Sequence, residues 1–399
     1  MSFPKYEAYK DSGVEWLGAV PEHWRVSQLK HLLDIQNGSD HKSIETEDGV
    51  PVFGSGGSFA FASKHMFDGE SVLLGRKGTV DKPMYLKQKF WAVDTVYWSK
   101  IRPEVSGKFA FYSATTIPFG YYSTNTALPS MTKSALGSHA STFPSYAEQQ
   151  SIARFLDSET SKIDTLVALQ ARLIELLKEK RQAVISHAVT KGLSSSVPMK
   201  ESGVEWLKDV PEHWGVTKLK YLCKTQTGNR DTAHAEASGE YPFFVRSQNI
   251  ERISTYSADC EAVLTAGDGV GVGKVFHYIN GRFDFHQRVY MFNNFQGVSG
   301  AFFYNYLAAN FYKIAMDGGA KTSVDSLRMP VIANFVFTVP PLDEQSLICT
   351  YISLMMTKLD SLIVAAERSI DLLKERRSAL ISAAVTGKID VRGFVEQAA

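Results

Sequence analysis

Two peptides, KDSGVEWLGAVPEHW from Lys10 and KESGVEWLKDVPEHW from Lys200, stand 190 residues apart in this chain. Over positions 10–32 against 200–222, 16 of 23 residues are identical, both tryptophans and the Pro-Glu-His-Trp run included. A second pair lies downstream: IELLKEKRQAVISHAVT (Ile174–Thr190) and IDLLKERRSALISAAVT (Ile370–Thr386), offset by 196. That match reaches back to Pro144 and Pro340 through EQQSI (Glu148–Ile152) and EQSLI (Glu344–Ile348). Each half therefore runs in one order: a short leader, an insert of about 110–120 residues, then a helical segment. The inserts are far less alike than their flanks. A repeated frame carries divergent inserts.

The helical segments follow from spacing. From Ile163, apolar residues recur at Leu166, Val167, Leu173, Ile174, Leu177, Val184, Ile185 and Ala188, and the second copy repeats the pattern through Leu359, Leu362, Ile363, Ile370, Leu373, Leu380 and Ile381. No proline interrupts 145–197 or 342–399, and Gly192 and Gly387 stand where a helix C-cap is expected. Stripes mixing three- and four-residue steps favour a partner helix over a lone position on a separate core. The partner at hand is the other copy. Because the first helix delivers the chain to the second insert, a pairing of the two must be antiparallel about a pseudo-two-fold axis. About 30 residues of helix span roughly 45 Å. Adjacent half-sites on one face of duplex DNA lie ~34–36 Å apart, so such a pair suits two readers of two unlike half-sites.

Bulk composition narrows the class. With 399 residues the chain exceeds the ~250–300 at which single cores stop growing. A 44% hydrophobic and 21% charged content is that of a globular protein. The opening MSFPKYEAYKD is charged throughout, unlike a secretory signal, and no uncharged run approaches the ~18 residues of a membrane span. Three scattered cysteines (Cys223, Cys260, Cys349) suit a reducing cytoplasm and argue against a structural zinc site. The net charge of +1 counts mildly against nucleic acid, although one basic face would suffice.

Both inserts carry strand-like aromatic and β-branched runs broken by glycine, and each reads as α+β. The glycine-rich GRKGTV and GDGVGVGKV fit neither the phosphate-binding G-x-x-x-x-G-K-[ST] nor G-x-G-x-x-G. Tight glycine turns that bring amides near a nucleic-acid backbone remain open. No adenine-methylation tetrapeptide, zinc-protease motif or duplicated acidic cluster occurs, so the chain reads as non-catalytic. The duplicated Glu148 and Glu344 near a helix start suit the helix dipole better than general-base chemistry.

The chain resembles the specificity (S) subunit of type I restriction–modification systems. The SGVEWLG and VPEHW leaders, the helix starts PSYAEQQSIARFLD and PPLDEQSLICTYIS, and the LLKE helix bodies ending in AVT carry that likeness over essentially the whole length. The resemblance implies an α+β architecture: two similar α/β target-recognition domains held apart by an antiparallel pair of long helices, a coiled coil with internal pseudo-two-fold symmetry. On this plan, residues 1–24 form a leader, 25–143 the first recognition domain and 144–193 the first helical spacer. Residues 194–214 form a linker and repeated leader, 215–339 the second recognition domain, and 340–399 the second spacer and tail. The resemblance also implies double-stranded DNA, two methyltransferase subunits and restriction/translocase subunits as partners, with no membrane. It implies no cofactor in this chain, S-adenosylmethionine in the partner methyltransferase, and ATP and Mg in the restriction subunit. A pure assembly scaffold and a degenerate methylation enzyme are the competing readings.

Donors expected near strand ends or loops mark candidate DNA contacts, since Arg and Lys suit guanine and Asn and Gln suit adenine. In the first insert these are Arg76, Lys77, Lys82 and Lys133. In the second they are Arg246, Ser247, Gln248, Asn249, Lys274, His286, Gln287 and Arg288, with Lys321, Thr322 and Ser323. Trp16, Trp24, Trp206 and Trp214 are expected to pin each leader to the helix pair, with Leu177 and Leu373 in the helix seam or at a partner surface.

Overall fold

The computed structural model describes residues 3–123, 129–315 and 327–394. The chain divides into two compact units, one of Met1–Ala171 with Arg368–Ala399 and one of Arg172–Glu367. That division passes through the long helices, so each unit is built from both halves of the sequence.

Unit one holds a seven-stranded mixed sheet. Its strands are β1 (Leu33–Asn37), β2 (Glu45–Thr46), β3 (Val50–Gly54), β4 (Gly57–Ala62), β5 (Phe67–Gly75), β6 (Met84–Ala92) and β7 (Val96–Ile101). They lie in the order β1-β7-β5-β6-β3-β4-β2. β3 and β6 run parallel, pairing Val52 with Trp91 and Phe53 with Ala92, while β5 and β6 form a long antiparallel ribbon. Helix α1 (Gly107–Thr115) follows, capped by Ser106, whose side chain accepts the Phe109 N–H. The long helix α2 (Tyr146–Lys191) starts in this unit.

Unit two repeats the plan. Strands β8 (Lys224–Thr227), β9 (Tyr241–Phe244), β10 (Ile250–Ile253), β11 (Ala258–Ala266), β12 (Phe276–Phe285) and β13 (Val289–Asn293) lie in the order β8-β13-β11-β12-β9-β10. Again one internal pair is parallel, β9 with β12 through Phe244 and Phe285. Helix α3 (Gly300–Asn310) is capped by Ser299 as α1 is by Ser106, and the second long helix, α4 (Leu342–Val385), starts here.

Within each unit the start of one long helix meets the end of the other. In unit one Ile152, Leu156 and Ile163 of α2 share a core with Leu380, Ile381 and Val385 of α4. Thr142, just before α2, donates its hydroxyl to the Val385 carbonyl. In unit two Ala188 and Val189 share a core with Ile348 and Ile352, and Thr338 donates to the Val189 carbonyl at 2.8 Å. The segments are antiparallel in both units. Exposed bridges exchange sign: Arg377 with Asp164 in unit one, Arg181 with Asp360 in unit two. Solvated pairs of this kind contribute about 0–1 kcal/mol, so they mark register while apolar burial supplies the stability.

The helices have 46 and 44 residues, longer than the apolar stripe alone suggests. Ser145 and Glu148 form a capping box that starts α2 upstream of Ile163: the Ser145 hydroxyl accepts the Glu148 N–H, and the Glu148 carboxylate accepts the Ser145 N–H. The seam is also narrower than the stripe. Leu166 and Leu173, expected against the partner helix, are exposed, as are Leu169 and Leu176 on successive turns. Leu177 is buried and Leu373 partly buried against the unit-one core, which gives both a structural place. By length and composition α4 is apolar enough to cross a membrane. Its Ile348, Ile352 and Leu359 are nevertheless buried in protein.

The leader tryptophans divide into two kinds. Trp24 and Trp214 are buried at the helix starts, where their indole N–H groups donate to Glu148 (3.2 Å) and Glu344 (3.1 Å). His23 and His213 reach the same carboxylates at 2.8 and 2.9 Å. Burial pushes the Glu148 carboxyl up, but hydrogen bonds from His23, Trp24 and Ser145 outweigh it and hold the group below the usual range. Trp16 and Trp206 are placed differently: Trp16 lines a cleft with Val385 and Thr386 at the end of α4, and Trp206 one with Ala183, His187 and Thr190 of α2. Trp16 stacks on His139 at 4.9 Å and Trp206 on Phe335 at 5.8 Å, both in the segments that approach the long helices. Burial pushes His139 down to about 4, so its ring is neutral near pH 7.

Glycine ends both long helices at positive φ, +79° at Gly192 and +74° at Gly387. A Cβ at Gly387 would lie 2.3 Å from Pro21 Cδ and 3.0 Å from Trp24 Cζ3, whereas one at Gly192 meets Trp214 Cζ2 at 3.3 Å. Left-handed backbone costs a non-glycine residue about 1–2 kcal/mol. Gly387→Ala is expected to exceed that through its clash, and Gly192→Ala to stay near it. Thermal denaturation of the two variants checks the ranking, which an equal or reversed loss would contradict.

Candidate nucleic-acid interface

In both units the ends of three sheet strands converge on one construction. In unit one the chain leaves β5 at Gly75, and the Arg76 and Lys77 N–H groups both donate to the Thr95 carbonyl, at 2.9 and 3.1 Å. The Arg76 carbonyl accepts the Met131 N–H at 3.0 Å, and the Tyr97 hydroxyl donates to the Met131 carbonyl at 3.1 Å. Unit two repeats these bonds. The Gly267 N–H donates to Arg288 O (2.8 Å), the Leu327 N–H to Gly267 O (2.9 Å), and the Tyr290 hydroxyl to Leu327 O (3.1 Å). The matching parallel pairs, Phe53 with Ala92 and Phe244 with Phe285, complete the correspondence. Positions 55, 77 and 95 of unit one thereby match 246, 268 and 288 of unit two.

The side chains at those positions differ. Unit one has Ser55, Lys77 and Thr95, with the Ser55 N–H donating to Thr95 Oγ1 at 3.4 Å. Lys77 is exposed, and the neighbouring Arg76 sits over the Tyr97 ring at 5.8 Å while donating to the Asp94 carbonyl. Unit two has Arg246, Asp268 and Arg288. Asp268 is nearly buried and accepts from Arg246 Nη1 (3.0 Å) and Arg288 Nη1 (2.5 Å). Burial alone would push its carboxyl up, but the bonds from Arg288 and Arg246 outweigh that and hold it below the carboxylate norm. Same backbone, different chemistry.

The remaining sequence-derived candidates scatter around this construction. Gln287 is exposed and donates to Asp231 at 3.1 Å. Ser247 donates to the Asn249 carbonyl and Gln248 to the Lys274 carbonyl, so these side chains first serve their own loops; Asn249 and Lys274 are exposed. His286 is a correction. It is 2% exposed, and its Nδ1 accepts the Arg288 N–H, so it braces the hairpin rather than reaching outward. Lys82 lies apart from Arg76 and Lys77, in a cleft with Phe111 and the α4 residue Arg377. Lys133 opens a short helix beside Lys30 and Arg102 in another cleft. Lys321, Thr322 and Ser323 lie outside the described residues. Among the described residues no group of three or more His, Cys, Asp or Glu is placed to hold a metal ion.

Asp268, Ser55 and Thr95 were missed by the sequence reading. Asp268 stands in GDGVG, a stretch weighed only as a phosphate loop. Its flanking Gly267 has a plainer reason to be glycine: a Cβ there would lie 2.9 Å from the Arg288 carbonyl. Gln149 and Gln345 were also missed, although the Glu-Gln pair recurs at the start of both long helices.

The type I restriction modification DNA specificity domain matches twice, over residues 21–178 and 211–365, and the chain belongs to that family. It is similar to the EcoDI specificity subunit of Escherichia coli, 28% identical over 180 residues that make up 45% of this chain and 39% of that subunit. The MjaVIII specificity subunit of Methanocaldococcus jannaschii is 23% identical over 82% of this chain and 79% of its own length. The chain thus spans less than half of the EcoDI subunit and most of the MjaVIII one. A solved chain from work on complex assembly and conformational transition in the type I R-M system shares the fold with a TM-score of 0.71 at 14% identity, covering 92% of this chain and 98% of the other. The HsdS subunit from Thermoanaerobacter tengcongensis follows at 0.54 and 13%, over 93% of this chain and 98% of its own.

Replacing Arg76 and Lys77 together by alanine is expected to weaken binding to duplex DNA and to lower the slope of log affinity against log salt by up to about two. A salt titration of wild type and variant reads this, and an unchanged slope would remove the unit-one loop from the interface.

Proposed function

We propose that this chain is the non-catalytic specificity subunit of a type I restriction–modification complex, each unit reading one half of a bipartite, asymmetric double-stranded DNA target. The observation that carries this reading is the repeated strand-end construction with unlike side chains, Ser55/Lys77/Thr95 against Arg246/Asp268/Arg288. Two readers of common descent with different surfaces suit two different half-sites. Arg76, Lys77, Arg246 and Arg288 are the leading contacts, and Gln287, Asn249 and Lys274 flank them.

The partners are two methyltransferase subunits, with restriction/translocase subunits joining them. The exposed leucines on successive turns of α2, Leu166, Leu169, Leu173 and Leu176, offer an apolar strip for helices of the methyltransferase. S-adenosylmethionine belongs to that partner, and ATP and Mg to the restriction subunit. The reading places the chain in the cytoplasm, with its three cysteines as free thiols.

On this reading the long helices act as the spacer between readers, so their length should set the number of unread base pairs between half-sites. Four residues inserted in α2 between Ile163 and Val184, matched by four in α4, add about 6 Å. Mapping methylated bases in DNA modified by the assembled complex is expected to show a gap changed by about one or two base pairs, with both half-sites intact. Altered half-site bases at an unchanged gap would defeat the reading.

A further inference from the structure

The pair of arginines on Asp268 is not repeated at the matching positions of unit one, Ser55, Lys77 and Thr95, and its construction bears on what unit two recognises. Arg246 follows β9, Arg288 lies in the β12–β13 hairpin, and Asp268 follows β11, so three separate strand ends meet at one carboxylate. Asp268 is 9% exposed in its side chain, while Arg246 and Arg288 are 43% and 60% exposed. The acid is inside and both guanidiniums look outward. Each is bound through one Nη1, which leaves further donors of its planar five-donor fork facing solvent. The Arg288 backbone is fixed in turn, its N–H on His286 Nδ1 and its carbonyl under the Gly267 N–H.

A cation meant only for phosphates gains nothing from this acid. Asp268 halves the net charge of the pair and so weakens attraction to a phosphate chain, which scales with the charges neutralised. What a buried carboxylate supplies is direction: it holds both forks in one orientation before any ligand arrives. Direction matters at a base edge, where guanine O6 and N7 accept from one guanidinium in a fixed plane.

We propose that Arg246 and Arg288 read guanine edges within the half-site of unit two, with Asp268 as the positioning residue that aims them. This deepens the DNA reading above and rests on it. At the matching places unit one carries Ser55, Lys77 and Thr95, so its half-site has no such paired fork.

The test uses the full chain assembled with its methyltransferase subunits. Selection from randomised duplexes gives the base preference at each position, and binding to a non-cognate duplex gives the unspecific affinity. Arg288→Lys and Arg246→Lys keep the charge and the ion pair but lose the fork. Each is expected to lower discrimination for guanine about tenfold to a hundredfold at one position in one half-site. The other half-site and unspecific affinity should stay unchanged. Asp268→Asn should lower the same discrimination while unspecific binding holds or rises, because a negative charge is lost. Thermal melts confirm that the lysine variants fold; should Asp268→Asn not fold, the lysine pair decides alone. Base preferences unchanged in the lysine variants would overturn the proposal, as would a loss spread evenly over all sequences or altered bases in the half-site of unit one. A wild-type complex that selects no bipartite sequence would instead overturn the DNA reading itself, a result distinct from an intact motif indifferent to Arg246 and Arg288.

Discussion

The architecture depends on a Glu-Gln pair at the start of each long helix, its glutamine buried in both. Gln149 Oε1 accepts the N–H of Ser106, the residue that caps α1, while its Nε2 donates to the carbonyls of Glu104 and Pro144. Gln345 repeats the set with Ser299, Gly297 and Pro340. Both amides are fully buried and use both of their ends. One residue earlier, Glu148 and Glu344 bind the leader through Trp24 with His23 and Trp214 with His213. Adjacent side chains thus tie leader, sheet module and long helix into one joint. Leaving such a buried amide or indole unpaired costs about 1–3 kcal/mol per group. That constraint explains why the frame tolerates so little change while the inserts diverge.

The joint also closes the other end of each helix. In unit one Trp24 packs beside Gly387, and Lys388 donates to the leader carbonyls of Leu17 and Ala19. In unit two Trp214 packs beside Gly192, and Lys191 donates to those of Leu207 and Asp209. The end of one helix and the start of the other are therefore fixed to the same leader. Antiparallel pairing of the segments within each unit is built into the joint and needs no contribution from the exposed ion pairs.

What the sequence disclosed follows from this division. The leaders, the helix starts, the glycine stops and the pairing direction were legible because each occurs twice and each is set by local bonding or by connectivity. The width of the helix seam was not, since periodicity does not separate a residue facing the other helix from one, such as Leu166, facing outward beside it. The candidate interface was legible only in part. Lys77, Arg246 and Arg288 stand out as exposed donors at strand ends, and Arg76 as a half-buried one beside them. Asp268 gave no signal, because its importance lies in bringing together three strand ends that are distant in sequence and include a parallel pair. His286 misled for the same reason: its burial is decided by the fold of the hairpin above it.

The proposed function requires each recognition module to be an independent reader carried by a shared frame. Exchanging residues 30–140 for the corresponding module of another member of the family, and then mapping methylated sites in the host genome, tests it most directly. One half of the bipartite target is expected to change while the other half and the gap are retained. A target changed in both halves, or in neither, would contradict it.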